Sequence, residues 1–164
     1  MTVPSVIYNP LNPVDEEAIV AIEATARARN VRIERLTIRA PADFETVLTR
    51  LTRQRWEGVM IVEDWMIRLQ MPRVEETAFR EKVPAVFGLP NYVAGSLTSY
   101  GPNRPHLWRR AARLTDRILR GAKPGNLPVE QPSTFELVIN LKTAKAVGLT
   151  IPPSLLARAD LVIE

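Results

Sequence analysis

The sequence predicts an α/β protein: a three-layer, doubly wound, mainly parallel sheet with helices on both faces. Three observations carry that reading. Short β-branched and aromatic runs alternate with stretches whose apolar residues recur at helical spacing. The connections between them are short, which favours right-handed strand–helix–strand units. One run, 58–62 (Gly-Val-Met-Ile-Val), is apolar throughout, the mark of a strand covered on both faces.

The elements follow in order. Residues 3–8 read as a strand, stopped by Asn9-Pro10-Leu11-Asn12-Pro13. A helix over 15–29 places Ile19, Ile22 and Ala26 on one face, with Asp15, Glu16 and Glu17 at its positive end. Residues 31–38 suit a strand, and 43–54 a helix carrying Phe44, Val47, Leu48 and Leu51. After the 58–62 strand comes a helix over 66–82 that Pro72 interrupts, so its start is expected after the proline. Short strands at 84–87 and 96–100 complete the first half.

The second half changes character. Residues 105–120 form a long helix with two adjacent apolar rows, Leu107, Ala111, Leu114, Ile118 and Trp108, Ala112, Thr115, Leu119. Residues 123–132 are a proline-rich connector. A strand over 135–141, a short helix over 143–147 stopped by Gly148, and a helical turn opened by Pro152-Pro153 that runs out to Ile163 end the chain. The expected division is an α/β body, 1–103 with 133–164, and a separate segment, 104–132.

Composition narrows the chemistry. The 164 residues hold no cysteine and one histidine, His106, so disulfides, thiolate nucleophiles and cysteine- or histidine-rich metal sites are out of reach. No nucleophile elbow and no histidine–carboxylate pair are visible, and Glu63 and Asp64 point apart as neighbours on a strand end. No enzymatic activity and no cofactor are expected. The net charge is +4, and seven cations lie between Arg104 and Lys123 with Asp116 alone among them. Those arginines fall mostly opposite the apolar rows, as on a solvated amphipathic face, and no recognition motif accompanies them. A nucleic-acid partner is not expected. No run reaches the length of a membrane span, and MTVPSVIYNP has neither the basic end nor the apolar core of a secretory signal.

In an open parallel sheet, ligands bind beyond the carboxyl ends of the strands. That rule points to the loops at 9–15, 63–65, 88–92 and 99–103. The first lacks the glycines of a phosphate cradle; Asn12 and Asp15 there either meet a ligand or cap the following helix. Asp64 is either an ammonium partner, with Trp65 stacking beside it, or a solvated strand-end charge. Tyr92 and Tyr100 suit a crevice rim or core packing. Asn12, Asp15, Asp64, Trp65, Asn91 and Tyr100 are the candidate ligand contacts.

Several stretches are distinctive: Ile118-Leu-Arg-Gly-Ala-Lys-Pro, Leu127-Pro-Val-Glu, Phe135-Glu-Leu-Val-Ile-Asn-Leu-Lys-Thr-Ala-Lys and Leu149-Thr-Ile-Pro, with Val6-Ile-Tyr-Asn, Asn12-Pro13 and Ser99-Tyr-Gly upstream. With these the chain resembles the ABC-transporter substrate-binding proteins of the aromatic-amino-acid type, along essentially its whole length. The resemblance implies one lobe of a type I periplasmic-binding fold, closing hinge-like on a small solute for an ABC permease in the periplasm. Such proteins are about twice as long, and this chain resembles their second lobe. Matching the family's binding loops implies roles for 12–15, for Asp64 and for 88–91. Trp65 stands where the family has asparagine, and Val14 and Leu89 where it has polar residues. The helix rows of 105–120 are expected to find a cover, in a first lobe or in a homodimer. The alternative is a dimeric half-protein that binds no ligand.

Overall fold

The computed structural model describes residues 3–88 and 95–164. Its single sheet has seven strands in the order β2-β1-β3-β4-β5-β6-β7. They are β1 Val3–Tyr8, β2 Glu34–Thr37, β3 Trp56–Ile61, β4 Ala85–Phe87, β5 Thr98–Pro102, β6 Phe135–Asn140 and β7 Leu161–Ile163. The pairings are parallel except β5 with β6. The doubly wound, mainly parallel reading holds. The order turns back between β1 and β3, which makes the carboxyl ends of these two strands the topological switch point.

The helices divide between the faces. Helices α2 Asp43–Arg53, α3 Trp65–Leu69 and α4 Met71–Arg80 cover one face. There Phe44, Val47, Leu51, Ile67, Val74 and Ala78 pack against Ile7, Leu36, Val59, Ile61 and Phe87. Helix α1 Pro13–Ala28 lies on the other face and seats Ile19 between Val6 and Tyr8. Both clusters arise from period-2 strands meeting period-3.6 helices.

Several elements depart from expectation. Strand β3 is covered on one face only: Val59 and Ile61 are buried, while Met60 is 39% exposed because α1 sits over β1 and not over β3. β2 begins at Glu34 rather than at 31, because Asn30 ends α1 in the left-handed region (φ 56°) and ladder pairing starts only at Ser5 with Glu34. Pro72 does not delay its helix. α4 begins at Met71 and holds the proline in its first turn, where a missing N–H costs nothing, and α3 is a separate turn before it. The last segment is not all helical: α7 Pro153–Leu156 is followed by β7, held by the parallel register Val138–Leu161 to Asn140–Ile163 and by Asp160, whose carboxylate accepts the Leu137 N–H at 2.8 Å.

Helix α5 Arg104–Leu119 buries no residue. It starts at Asn103, whose side chain accepts the His106 N–H at 2.7 Å and donates to Glu136. The row of Trp108 and Leu119 faces outward, 68% and 82% exposed, while Leu107 and Leu114 of the other row are half-buried. Arg110 reaches back to Glu130 of the connector at 2.7 Å. The connector contains one short 3-10 turn, Pro124–Asn126, and α6 Leu141–Ala146 follows β6. Among the described residues no helix is long and apolar enough to cross a membrane.

Candidate ligand-binding crevice

At the switch point the β1–α1 and β3–α3 loops are tied together through Asp64. Asn9 leaves β1 and bends the chain: its side-chain oxygen accepts the Leu11 N–H at 2.9 Å and its carbonyl accepts the Asn12 N–H at 3.1 Å. Asn12 then caps α1 through Val14 N–H at 3.1 Å. The side-chain amides of both asparagines donate to one Asp64 oxygen, Oδ2, at 3.3 Å from Asn9 and 3.1 Å from Asn12. The other oxygen, Oδ1, caps α3 by accepting Met66 N–H at 2.8 Å and Ile67 N–H at 3.4 Å. Asp64 is therefore 3% exposed and not a solvated strand-end charge. Four donors make the buried anion tenable.

Asp15 joins from the first turn of α1. It is wholly buried, its Oδ2 accepts the Asn9 backbone N–H at 3.0 Å, and its Oδ1 has no partner. Burial raises its pKa above the ordinary carboxylate value; the Asn9 N–H opposes this, while the charges of Asp64 and Glu63 add to it. Glu63 turns away from Asp64 toward Arg104 of α5, at 3.9 Å. Capping of α1 is thus the work of Asn12, and Asp15 instead anchors the turn that carries Asn9.

The other candidates lie around this knot. Trp65, at the start of α3, is 66% exposed, and Leu11, Val14 and Leu69 give the same end of the sheet further apolar surface. Tyr100 lies apart on β5, on the sheet face of Met60, stacked on Phe135 with ring centroids 5.7 Å apart and 59% exposed; it is no core residue. Asn91, like Tyr92 and Leu89, falls outside the described residues. The structure thus brings Asn12, Asp15, Asp64 and Trp65 together and leaves Tyr100 aside. Residue-by-residue reading missed Asn9 and the Glu63–Arg104 pair. An asparagine directly after a buried strand was the available signal for Asn9; nothing local announced a pair separated by α3 and α4.

Ile61, Glu63, Asp64, Ile67 and Phe87 help line a pocket of ≈ 20 Å³ at these strand ends, room for one water. Ligand sites need several hundred cubic ångströms, so this surface can form only part of an enclosing site. A larger hollow of ≈ 500 Å³ lies at the opposite end of the sheet, between the ends of α2 and α4, with Arg53, Arg55, Glu81 and Lys82 on an open surface. Among the described residues no group of three histidine, cysteine, aspartate or glutamate side chains could hold a metal ion.

Residues 3–163 match the family model described as ABC transporter substrate binding protein. The chain belongs to that family. The family is one of solute-binding proteins rather than enzymes. A curated relative, the "Tyrosine-binding protein" of Clostridioides difficile, is 23% identical over 145 residues, covering 88% of this chain and 42% of the relative. Among solved structures, a Streptococcus pneumonia ABC domain in complex with L-Trp superposes with a TM-score of 0.87 at 24% identity over 99% of this chain and 56% of that one. A conserved domain protein from Vibrio cholerae gives 0.87 at 23% identity, over 98% of this chain and 54% of that one. The chain spans less than half of the curated relative and a little over half of each solved chain. At these identities the structural likeness establishes the shared fold.

Proposed function

We propose that this member of the substrate-binding family forms one lobe of a two-lobed receptor that closes on an aromatic amino acid for an ABC permease, outside the inner membrane. The observation that carries this reading is the Asp64 knot at the switch point, with Asn12 and the exposed Trp65 beside it. Asn12 and Trp65 offer an amide and a ring to a ligand directly, and Asp64 and Glu63 supply negative charge beneath an ammonium group. The L-Trp complex of a protein sharing this fold, and the tyrosine-binding name of a relative, support the ligand class. The size of the pocket supports the need for a second lobe, since this surface cannot enclose an amino acid alone. On this reading residues 104–132 form the segment that meets that lobe.

Thermal melting of the purified chain with L-tryptophan, L-tyrosine and a panel of other solutes tests it. A ligand at one hundred times its Kd adds about 2.7 kcal/mol of stability, and a shift confined to aromatic amino acids is expected. Trp65→Ala is expected to weaken that binding by roughly fivefold to tenfold, the size of one aromatic stack, without lowering the melting temperature. No shift with any solute overturns the reading.

A second reading rests on a separate observation: α5 buries no residue and leaves Trp108, Ile118 and Leu119 exposed. A homodimer in which each chain covers the other's 105–120 helix, with no ligand, accounts for that. Solution mass measured alongside melting separates the two.

A further inference from the structure

Asp15 is the one part of the knot whose chemistry the proposed ligand contacts leave unexplained. A buried carboxylate ordinarily accepts several hydrogen bonds. Asp15 is wholly buried, receives one backbone N–H from Asn9, and leaves Oδ1 without a partner. The charged groups that act on it are Asp64 and Glu63 of the β3–α3 loop, both negative. From the remaining elements it meets the neutral turn at Asn9 and its own helix end capped by Asn12, while Arg104 of α5 is engaged with Glu63. Burial and the two neighbouring carboxylates therefore favour its neutral form, against the opposing pull of the Asn9 N–H and of the positive end of α1.

We propose that Asp15 is a proton-linked positioning residue: the empty lobe favours its neutral form, and a cationic group settling beside Glu63 and Asp64 favours release of its proton to solvent. The argument is electrostatic. A ligand ammonium at the knot reverses the sign of the local field, which favours the ionised carboxyl, so ligand binding and proton release reinforce one another. Asp15 acts through Asn9, whose backbone it holds and whose amide holds Asp64. The coupling rests on the proposed amino-acid ligand.

The first test needs no ligand. The stabilities of the purified chain and of Asp15→Asn are compared by melting from about pH 4 to pH 7.5. The asparagine keeps an acceptor for Asn9 N–H but cannot ionise. Because burial raises the pKa of Asp15, the native protein loses stability as pH climbs from the ordinary carboxylate value through the raised one, and the variant should gain on it over that interval. A difference that stays constant with pH overturns the proposal.

The second test is calorimetric binding of L-tryptophan across the same range, in buffers of different ionisation enthalpy. Affinity is expected to tighten with pH by up to about tenfold per unit while one proton is released. Asp15→Asn should abolish both effects, and indole-3-propionate, which lacks the ammonium, should release no proton. Binding of L-tryptophan without proton release overturns the coupling and leaves the ligand reading standing. Failure of both L-tryptophan and L-tyrosine to bind removes the ligand reading and the coupling with it.

Discussion

Helices α2 and α5 were written with the same alphabet and met different fates. Both carry apolar residues at helical spacing against polar opposite faces. α2 buries Phe44, Val47, Leu48 and Leu51 against the sheet, whereas α5 buries nothing and exposes Trp108 and Leu119. The difference teaches that amphipathic period states that a face is to be covered but not by what. α2 follows β2 and returns to β3 inside the same sheet, so its cover is local. α5 follows β5, after which the chain comes back as an antiparallel strand, so no return crossover presses α5 onto the sheet.

The largest expected effect sharpens that contrast. Phe44→Ala should cost about 3–5 kcal/mol in urea denaturation, because Phe44 is 1% exposed and its loss leaves a cavity. Leu119→Ala in the same experiment should stay within about 0.5 kcal/mol. Equal losses would mean that α5 is packed after all in the chain in solution.

Asp64→Ala comes next, at about 2–3 kcal/mol, since it strips α3 of its cap and leaves the Asn9 and Asn12 amides without their acceptor. Asp64→Asn should cost less, because it retains one oxygen for the α3 N–H groups. A loss from Asp64→Ala no larger than that of an exposed aspartate would show the knot to be slack.

Trp108→Asp probes the cover of α5 itself. If copies of the chain cover one another there, sedimentation of this variant should show the dimer lost and the melting of the body unchanged. A native chain that sediments as a monomer at all concentrations would remove the homodimer.

The smallest effect is a pH dependence opposite in sign to that of Asp15. Asp43 accepts the N–H groups of Arg39 at 2.7 Å and Ala40 at 3.0 Å, and these hold its pKa below the ordinary value. Its contribution is present above the ordinary carboxylate value and fades as pH falls through the depressed one. Acid melting of Asp43→Ala should therefore converge on the native curve at low pH. A gap that persists there would assign the effect to something other than charge.

Local pattern alone determined the fold class and most of the elements. Period-2 and period-3.6 runs are backbone properties, and the core residues they name, such as Val6, Ile7, Ile19 and Phe44, are buried. The strand-end rule likewise leads from sequence to Asn12, Asp15, Asp64 and Trp65. Tertiary structure decided what those residues do. Asp64 became a buried cap because two asparagines 55 and 52 positions away deliver their amides to it. Met60 became half-exposed because α1 covers β1 and stops short of β3. The closing strand β7 exists only because β6 offers it a free edge. Periodicity is set by a residue and its near neighbours along the chain, whereas burial and hydrogen-bond partnership belong to pairs distant in sequence, and folding alone brings those pairs together.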